Sequence, residues 1–99
     1  MIPLSPEAEA QLDGLLVHYE NSERLEAARN LLAAIQNASS RIQRSPEAGL
    51  SAPRPYPDLA RYGFRWIKEG AYWVAYTNTD NGLIIVGVFY HTADIPHRI

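Results

Sequence analysis

Cysteine is absent from this chain of 99 residues, and so is any long hydrophobic run. Without cysteine the chain cannot form a disulfide, a thiolate zinc site, an iron–sulfur cluster or a cysteine nucleophile. No apolar run approaches the roughly 18 residues of a membrane span. Residues 1–7 lack the basic and apolar regions of a signal peptide. We therefore expect a cytoplasmic protein without membrane association.

Recognisable cofactor motifs are missing too. There is no Gly-x-Gly-x-x-Gly pattern and no Gly-Lys-Ser/Thr phosphate loop. The three histidines, His18, His91 and His97, lack the spacing of four residues by which one helix presents two metal ligands. His91 and His97 flank Asp94, but no further ligand is evident nearby. The sequence therefore predicts no cofactor and no metal.

Length and composition predict one domain over residues 1–99. The chain is 46% hydrophobic and 20% charged, which is ordinary globular composition. Its net charge of −2 hides a split, since residues 1–40 carry −4 and residues 41–99 carry +2. The second half can therefore face an anionic partner, although it is not basic enough to predict nucleic-acid binding from charge alone.

The first half predicts a helical hairpin. Ser5 is a hydroxyl N-cap, Pro6 suits the first helical position, and Glu7 begins an acidic first turn. This helix runs to a break at residues 21–22, and a second helix runs from about residue 23 to residue 43. In both helices apolar residues recur at steps of three and four. So short a turn makes the two helices antiparallel neighbours.

The second half predicts an antiparallel sheet. In the connector, residues 45–58, Pro53, Pro55 and Pro57 keep the chain extended. Runs rich in aromatic and β-branched residues then predict strands at Tyr62–Lys68, Ala71–Thr77 and Leu83–Tyr90. The last run is apolar on both faces, which predicts that it is the central strand. A short strand at residues 2–4 could pair at one side.

These elements together predict an α+β fold. The N-terminal antiparallel helical hairpin packs on one face of a three- or four-stranded antiparallel sheet. The other face is then partly open, which makes it, with the groove beside the hairpin, the expected functional surface.

His91 is the candidate for proton transfer. It follows the last strand beside Tyr90, near Arg65 or Lys68 on a paired strand, and an imidazole suits a general acid or base near neutral pH. The alternative is a strand-end histidine that pairs with Asp94.

Cations and aromatic residues of the sheet are the other candidates. Arg65, if it points to the open face, could hold a phosphate or a partner's carboxylate, or it could be a solvated cation. Lys68 lies three residues on and so points to the opposite face. The aromatic residues either pack in the core or stack on a partner. They are Trp66, Tyr72, Trp73 and Tyr76.

Several short motifs follow one another in an order that resembles a known family. They are Ser-Pro-Glu-Ala-Glu-x-x-Leu at 5–12, Ser-Pro-Glu-x-Gly at 45–49, Pro-Arg-Pro at 53–55, Phe-Arg at 64–65, Tyr-x-Val-x-Tyr at 72–76, and Val-x-x-His-x-x-Asp-Ile-Pro at 88–96. This series resembles the RelE/ParE superfamily of toxins from bacterial type II toxin–antitoxin modules, often called plasmid stabilisation proteins. The resemblance covers about residues 2–97.

The resemblance implies one of two activities. RelE-like toxins cleave mRNA in the ribosomal A site, with a cluster of Lys and Arg on the open sheet face and often a Tyr or His near the C-terminus. ParE-like toxins are not nucleases and stall DNA gyrase on DNA. Both imply a cognate antitoxin, here ParD-like, whose C-terminal segment wraps the toxin and whose N-terminal part binds operator DNA.

Departures from the nuclease pattern favour the ParE branch. Trp73 and Thr92 stand where RelE-like toxins carry cations. The resemblance therefore implies a gyrase inhibitor without catalytic residues. Its candidate partner-binding residues are Arg65, Lys68, Trp73, His91 and Asp94. The alternatives are a non-toxic binding module of the same fold and a ribosome-dependent endoribonuclease, whose catalytic residues would be His91, Arg65 and Tyr90.

Overall fold

Two helices precede a three-stranded antiparallel sheet in the computed structural model, which describes residues 1–99. The helices are α1, Pro6–Asn21, and α2, Leu25–Arg44. The strands are β1, Arg65–Glu69, β2, Tyr72–Thr79, and β3, Gly82–Tyr90. Short 3-10 helices occupy Pro57–Tyr62 and Ile95–His97. The predicted α+β class and helical hairpin are confirmed.

The helix boundaries follow from local chemistry. The Ser5 hydroxyl accepts a hydrogen bond from the Ala8 backbone N–H at 3.1 Å, which confirms the predicted N-cap. Between the helices Glu23 adopts a left-handed conformation with φ 55°. The Arg24 N–H then donates to the Tyr19 carbonyl at 2.8 Å. This tight reversal starts α2 two residues later than predicted.

The strand order differs from the prediction because β2, not β3, is central. Both pairings are antiparallel. The prediction that Leu83–Tyr90 is the central strand is wrong. Because both faces of the sheet are covered, an edge strand can also be apolar on both of its faces. Tyr72–Tyr76 is buried throughout, so tyrosines that look half-polar in the sequence belong to the core. The predicted strand at residues 2–4 is reduced to one parallel bridge between Leu4 and Ile85 on the outer side of β3.

The hairpin covers one face of the sheet with the larger of two hydrophobic clusters. From α2, Leu31 and Ile35 are buried in it, and from the sheet Val74 and Val88. Ser39 is a polar residue within this layer, and its hydroxyl accepts a hydrogen bond from the Ile2 backbone N–H at 2.7 Å. The N-terminal segment is thereby fastened between α2 and β3.

The opposite face is not open, contrary to the prediction. A second cluster contains four strand residues, closed by Leu59 of the first 3-10 helix and Ile95 of the C-terminal tail. We call residues 50–64 and tail residues 92–99 the cover. The cover could not be predicted from hydrophobic spacing, because irregular segments bury single side chains without a period. The strand residues are Trp66, Trp73, Ala75 and Phe89.

Neither α1 nor α2 combines the length and the apolar character that crossing a membrane requires.

Candidate functional site

Arg65 and His91, which the sequence analysis predicts to be near each other as one of two alternatives, lie at opposite ends of the sheet. Arg65 begins β1, whereas Tyr90 lies in the row of residues that contains Glu69. Four residues of strand separate these rows, which is about 13 Å. Of the two cations predicted near His91, Arg65 is therefore wrong, whereas Lys68 lies in the row next to that of Tyr90.

Arg65 contacts the connector instead of an open face. It alternates in phase with Ile67, which packs in the cluster under the hairpin. Its guanidinium Nη1 donates to the carbonyls of Glu47 at 3.1 Å and Gly49 at 3.4 Å. The Tyr76 hydroxyl holds the same segment by donating to the Pro46 carbonyl at 2.7 Å. Arg65 thus positions the connector.

The other predicted residues also separate. Trp73 is buried in the second cluster, 3% exposed, so it offers no surface to a partner in this fold. Lys68 lies on the same side of the sheet but is exposed. The carboxylate of Asp94 contacts the imidazole Nδ1 of His97, not His91. Trp73 is therefore structural, while Lys68 and Asp94 remain at the surface.

Tyr90 lines a groove of about 780 Å³ between α1, the end of β3 and the tail, which we call the α1–β3 groove. Its ring packs edge-on against Tyr72, with centroids 5.7 Å apart at 72°. The His91 ring lies 4.7 Å from the Tyr90 ring, and the His91 backbone N–H donates to the Ala71 carbonyl at 2.8 Å. The end of β3 is thus held by aromatic packing and one backbone hydrogen bond.

A buried pair of phenols supports this groove. The hydroxyls of Tyr19 and Tyr72 share a hydrogen bond of 2.5 Å. Burial raises the pKa of Tyr72, and the hydrogen bond to Tyr19 raises it further. The Arg24 guanidinium carbon lies 5.3 Å from the centre of the Tyr19 ring. Tyr72 is therefore a neutral structural phenol at physiological pH and not a proton acceptor.

The charged residues that line the α1–β3 groove are both cations, Arg24 and Arg98, and no Asp or Glu lines it. Gly14 of α1 faces open space, because a Cβ built there meets nothing within 4 Å. The groove therefore suits a segment that is partly apolar and carries negative charge.

One side chain occupies the outer edge of β3 beside the groove. The Val88 backbone N–H points away from β2, and the Gln11 side-chain carbonyl accepts its hydrogen bond at 2.9 Å. Outside the Leu4 bridge no strand pairs with this edge. A partner strand that pairs at Val88 would have to displace one amide side chain.

A second groove of about 370 Å³ continues the surface between α2 and the turn that joins β1 and β2. It shares Tyr19, Arg24 and Tyr90 with the α1–β3 groove. Together the two grooves form one concave strip along the hairpin, large enough for a peptide segment. No group of three or more His, Asp or Glu residues in the chain is arranged to hold a metal ion.

Four residues of this site were missed by the sequence analysis: Gln11, Gly14, Tyr19 and Arg24. The available signal was Gly14 itself, since glycine inside a helix is unfavourable unless something approaches it closely. Tyr19 lies on the apolar face of α1, and helical spacing does not reveal that its hydroxyl meets Tyr72.

Comparison with known families gives one match over nearly the whole chain. A family model described as ParE toxin of type II toxin-antitoxin system, parDE, matches residues 2–96. Comparison with curated proteins gives no match.

Proposed function

The chain belongs to the ParE toxin family of type II toxin–antitoxin systems, and from that membership we propose that it inhibits DNA gyrase and is neutralised by a cognate antitoxin. The match over residues 2–96 is the observation that carries the proposal. A ParE toxin acts on its target by binding, so the proposal asks for interaction surfaces and not for a catalytic centre.

The geometry around His91 supports binding over catalysis. A ribosome-dependent nuclease needs a cation near its general acid or base, because the transferring phosphate carries negative charge. Arg65 is at the far end of the sheet and is engaged by the carbonyls of Glu47 and Gly49. Of the three residues proposed for the alternative nuclease, Tyr90 and His91 are adjacent, whereas Arg65 does not join them.

The cognate antitoxin docks in the concave strip formed by the two grooves. Arg24 and Arg98 in the α1–β3 groove favour an acidic segment that folds on binding. The one acid that lines the strip, Glu69 in the second groove, is paired with Arg41. A helix of that segment would lie against α1 at Gly14, and an extended part would reach the outer edge of β3. The partner contacts proposed from the sequence, Lys68, His91 and Asp94, are exposed and available to antitoxin or target.

The target is tested with purified full-length protein, gyrase and supercoiled plasmid. We expect cleaved plasmid bound to gyrase to accumulate, while mRNA on translating ribosomes stays intact. His91→Ala should retain this effect, since no proton transfer is required of it. Codon-specific mRNA cleavage that disappears in His91→Ala would overturn the proposal and establish the nuclease.

The docking site is tested by coexpression with the product of the adjacent gene. We expect the two proteins to copurify. Gly14→Leu, which fills the groove and favours helix formation, should weaken the complex at least tenfold while the chain stays folded. Asp13→Leu is the matched control, because Asp13 is exposed on α1 and does not line either groove. Equal loss in both variants would contradict docking in the groove.

A further inference from the structure

Charge is divided between the two layers that sandwich the sheet. The hairpin side, residues 1–44, carries six acids and four bases, a net charge of −2. On the other side, the cover carries three arginines and two acids, and Lys68 of β1 adds a fourth base. A protein with a net charge of −2 therefore presents a cationic face on the side opposite its helices.

No arginine or lysine of that face forms an ion pair within the chain, although Asp58 lies near enough for its charge to act on Arg61. The structure contains two ion pairs, Arg41 with Glu69 and His97 with Asp94. Arg54, Arg61 and Lys68 take part in neither, and all three are exposed. Surface cations without an internal partner keep their full charge for an external one.

Arg61 is held by a stack of aromatic rings. Its guanidinium carbon lies 5.1 Å from the centre of the Tyr62 ring, and its Nη2 donates to the Tyr62 hydroxyl at 3.3 Å. The Tyr62 ring stacks on Phe64, with centroids 6.1 Å apart and planes 15° from parallel. Stacking restrains the guanidinium and leaves most of its N–H donors facing solvent, an arrangement suited to bidentate contact with phosphate oxygens.

We propose that Arg54 and Arg61 of the cover, with Lys68 of β1 on the same side of the sheet, bind the phosphate backbone of duplex DNA. Phosphate contacts of this kind carry no sequence information, and no helix of the cover is long enough to enter a groove and read bases. Binding is therefore weak, independent of sequence and sensitive to salt. The inference needs no gyrase, although a toxin that acts on gyrase-bound DNA would meet such a partner.

The test measures binding of the full-length protein to a fluorescein-labelled duplex by fluorescence anisotropy. Three phosphate contacts predict a slope of log affinity against log salt of about −2.7, hence about a 40-fold loss between 50 and 200 mM salt. Arg61→Ala should reduce the magnitude of the slope by about one. Arg61→Lys, which keeps the charge, should keep the slope and lower only the affinity.

Arg29→Ala is the matched control, since Arg29 is an exposed arginine on the hairpin side. We expect it to bind DNA like the unaltered protein. Absence of binding at the lowest salt, or equal effects of Arg29→Ala and Arg61→Ala, would overturn the inference. Gyrase trapping by a protein that does not bind DNA would overturn it and leave the proposed function intact. DNA binding without gyrase trapping would support the inference and overturn the proposed function.

Discussion

The hydroxyl oxygens of Tyr19 and Tyr72 lie 2.5 Å apart, so a single hydrogen bond joins α1 to the central strand beneath the concave strip. Both residues are only 4% exposed. Each phenol is thereby the polar partner of the other, and the shape of the strip depends on both.

Removing one hydroxyl of this pair should cost more than removing both. Tyr19→Phe or Tyr72→Phe leaves a buried hydroxyl without its partner, which costs about 1–3 kcal/mol of unfolding free energy. The double variant removes both polar groups at once and should be closer to neutral than the sum of the single changes. Urea unfolding of the four proteins measures this coupling. Additive losses would show that the hydroxyls do not depend on each other.

Stability should fall at alkaline pH partly because of Tyr72. Burial raises its pKa in the folded state above the ordinary value of 10.0, which the unfolded chain retains. The unfolded chain therefore releases this proton first, so the stability that Tyr72 contributes is complete below about pH 10 and declines above it. Unfolding free energies measured from about pH 8 to 11 should decline less steeply in Tyr72→Phe. An unchanged alkaline slope would contradict the assignment.

Substitution by alanine should change the stability of the chain in opposite directions at two glycines. At Gly49 a Cβ would lie 2.6 Å from the Tyr76 hydroxyl and 2.8 Å from the Arg65 Cβ. Gly49→Ala should therefore loosen the connector and cost about 1–3 kcal/mol, as overpacking does. Gly14→Ala meets open space inside a helix and should stabilise the chain by up to about 1 kcal/mol. Thermal unfolding of both variants tests the contrast, which similar shifts of Tm would refute.

The tail should be released by one substitution. Ile95 is its fully buried side chain, and the Tyr56 hydroxyl adds a hydrogen bond of 3.2 Å to the Ala93 carbonyl. Ile95→Ala should lower the free energy of unfolding by about 2–5 kcal/mol if the tail stays in place over the resulting cavity. If the tail detaches, the loss should be smaller. Both tryptophans lie in the cluster beneath, so detachment should shift their fluorescence to longer wavelength. Ile99→Ala, at an exposed position, is the control, and an equal shift there would contradict the role of Ile95.

The helical half was predictable because its signals are local. Ser5, Pro6 and the spacing of apolar residues each act within a few positions along the chain, and the structure places the first helix where they predict it. Strand order was not predictable in the same way. Burial of both faces depends on the cover, and Leu59 and Ile95 contribute to it as single residues in segments without periodicity.

The candidate site was predictable only in part. The groove beside the hairpin was expected, and Tyr90 lies in it. The prediction of Arg65 near His91 assumed that their strands pair, whereas β2 separates β1 from β3 and the register places Arg65 opposite Tyr76. Gln11 and Arg24 could not be found from the sequence, since their roles depend on which end of the sheet α1 crosses.

The amide of Gln11 has a consequence for the behaviour of the free chain in solution. The outer edge of an apolar strand is a template on which further copies of the same strand stack into insoluble aggregates. By accepting the hydrogen bond of the Val88 backbone N–H, the Gln11 side chain occupies one of the backbone donors that a stacked strand would use. Because the block is a neutral side chain and not a fixed charge, an incoming backbone carbonyl can replace it without leaving an unpaired ion behind. This one side chain therefore limits strand stacking by the free chain while the edge stays accessible to a partner.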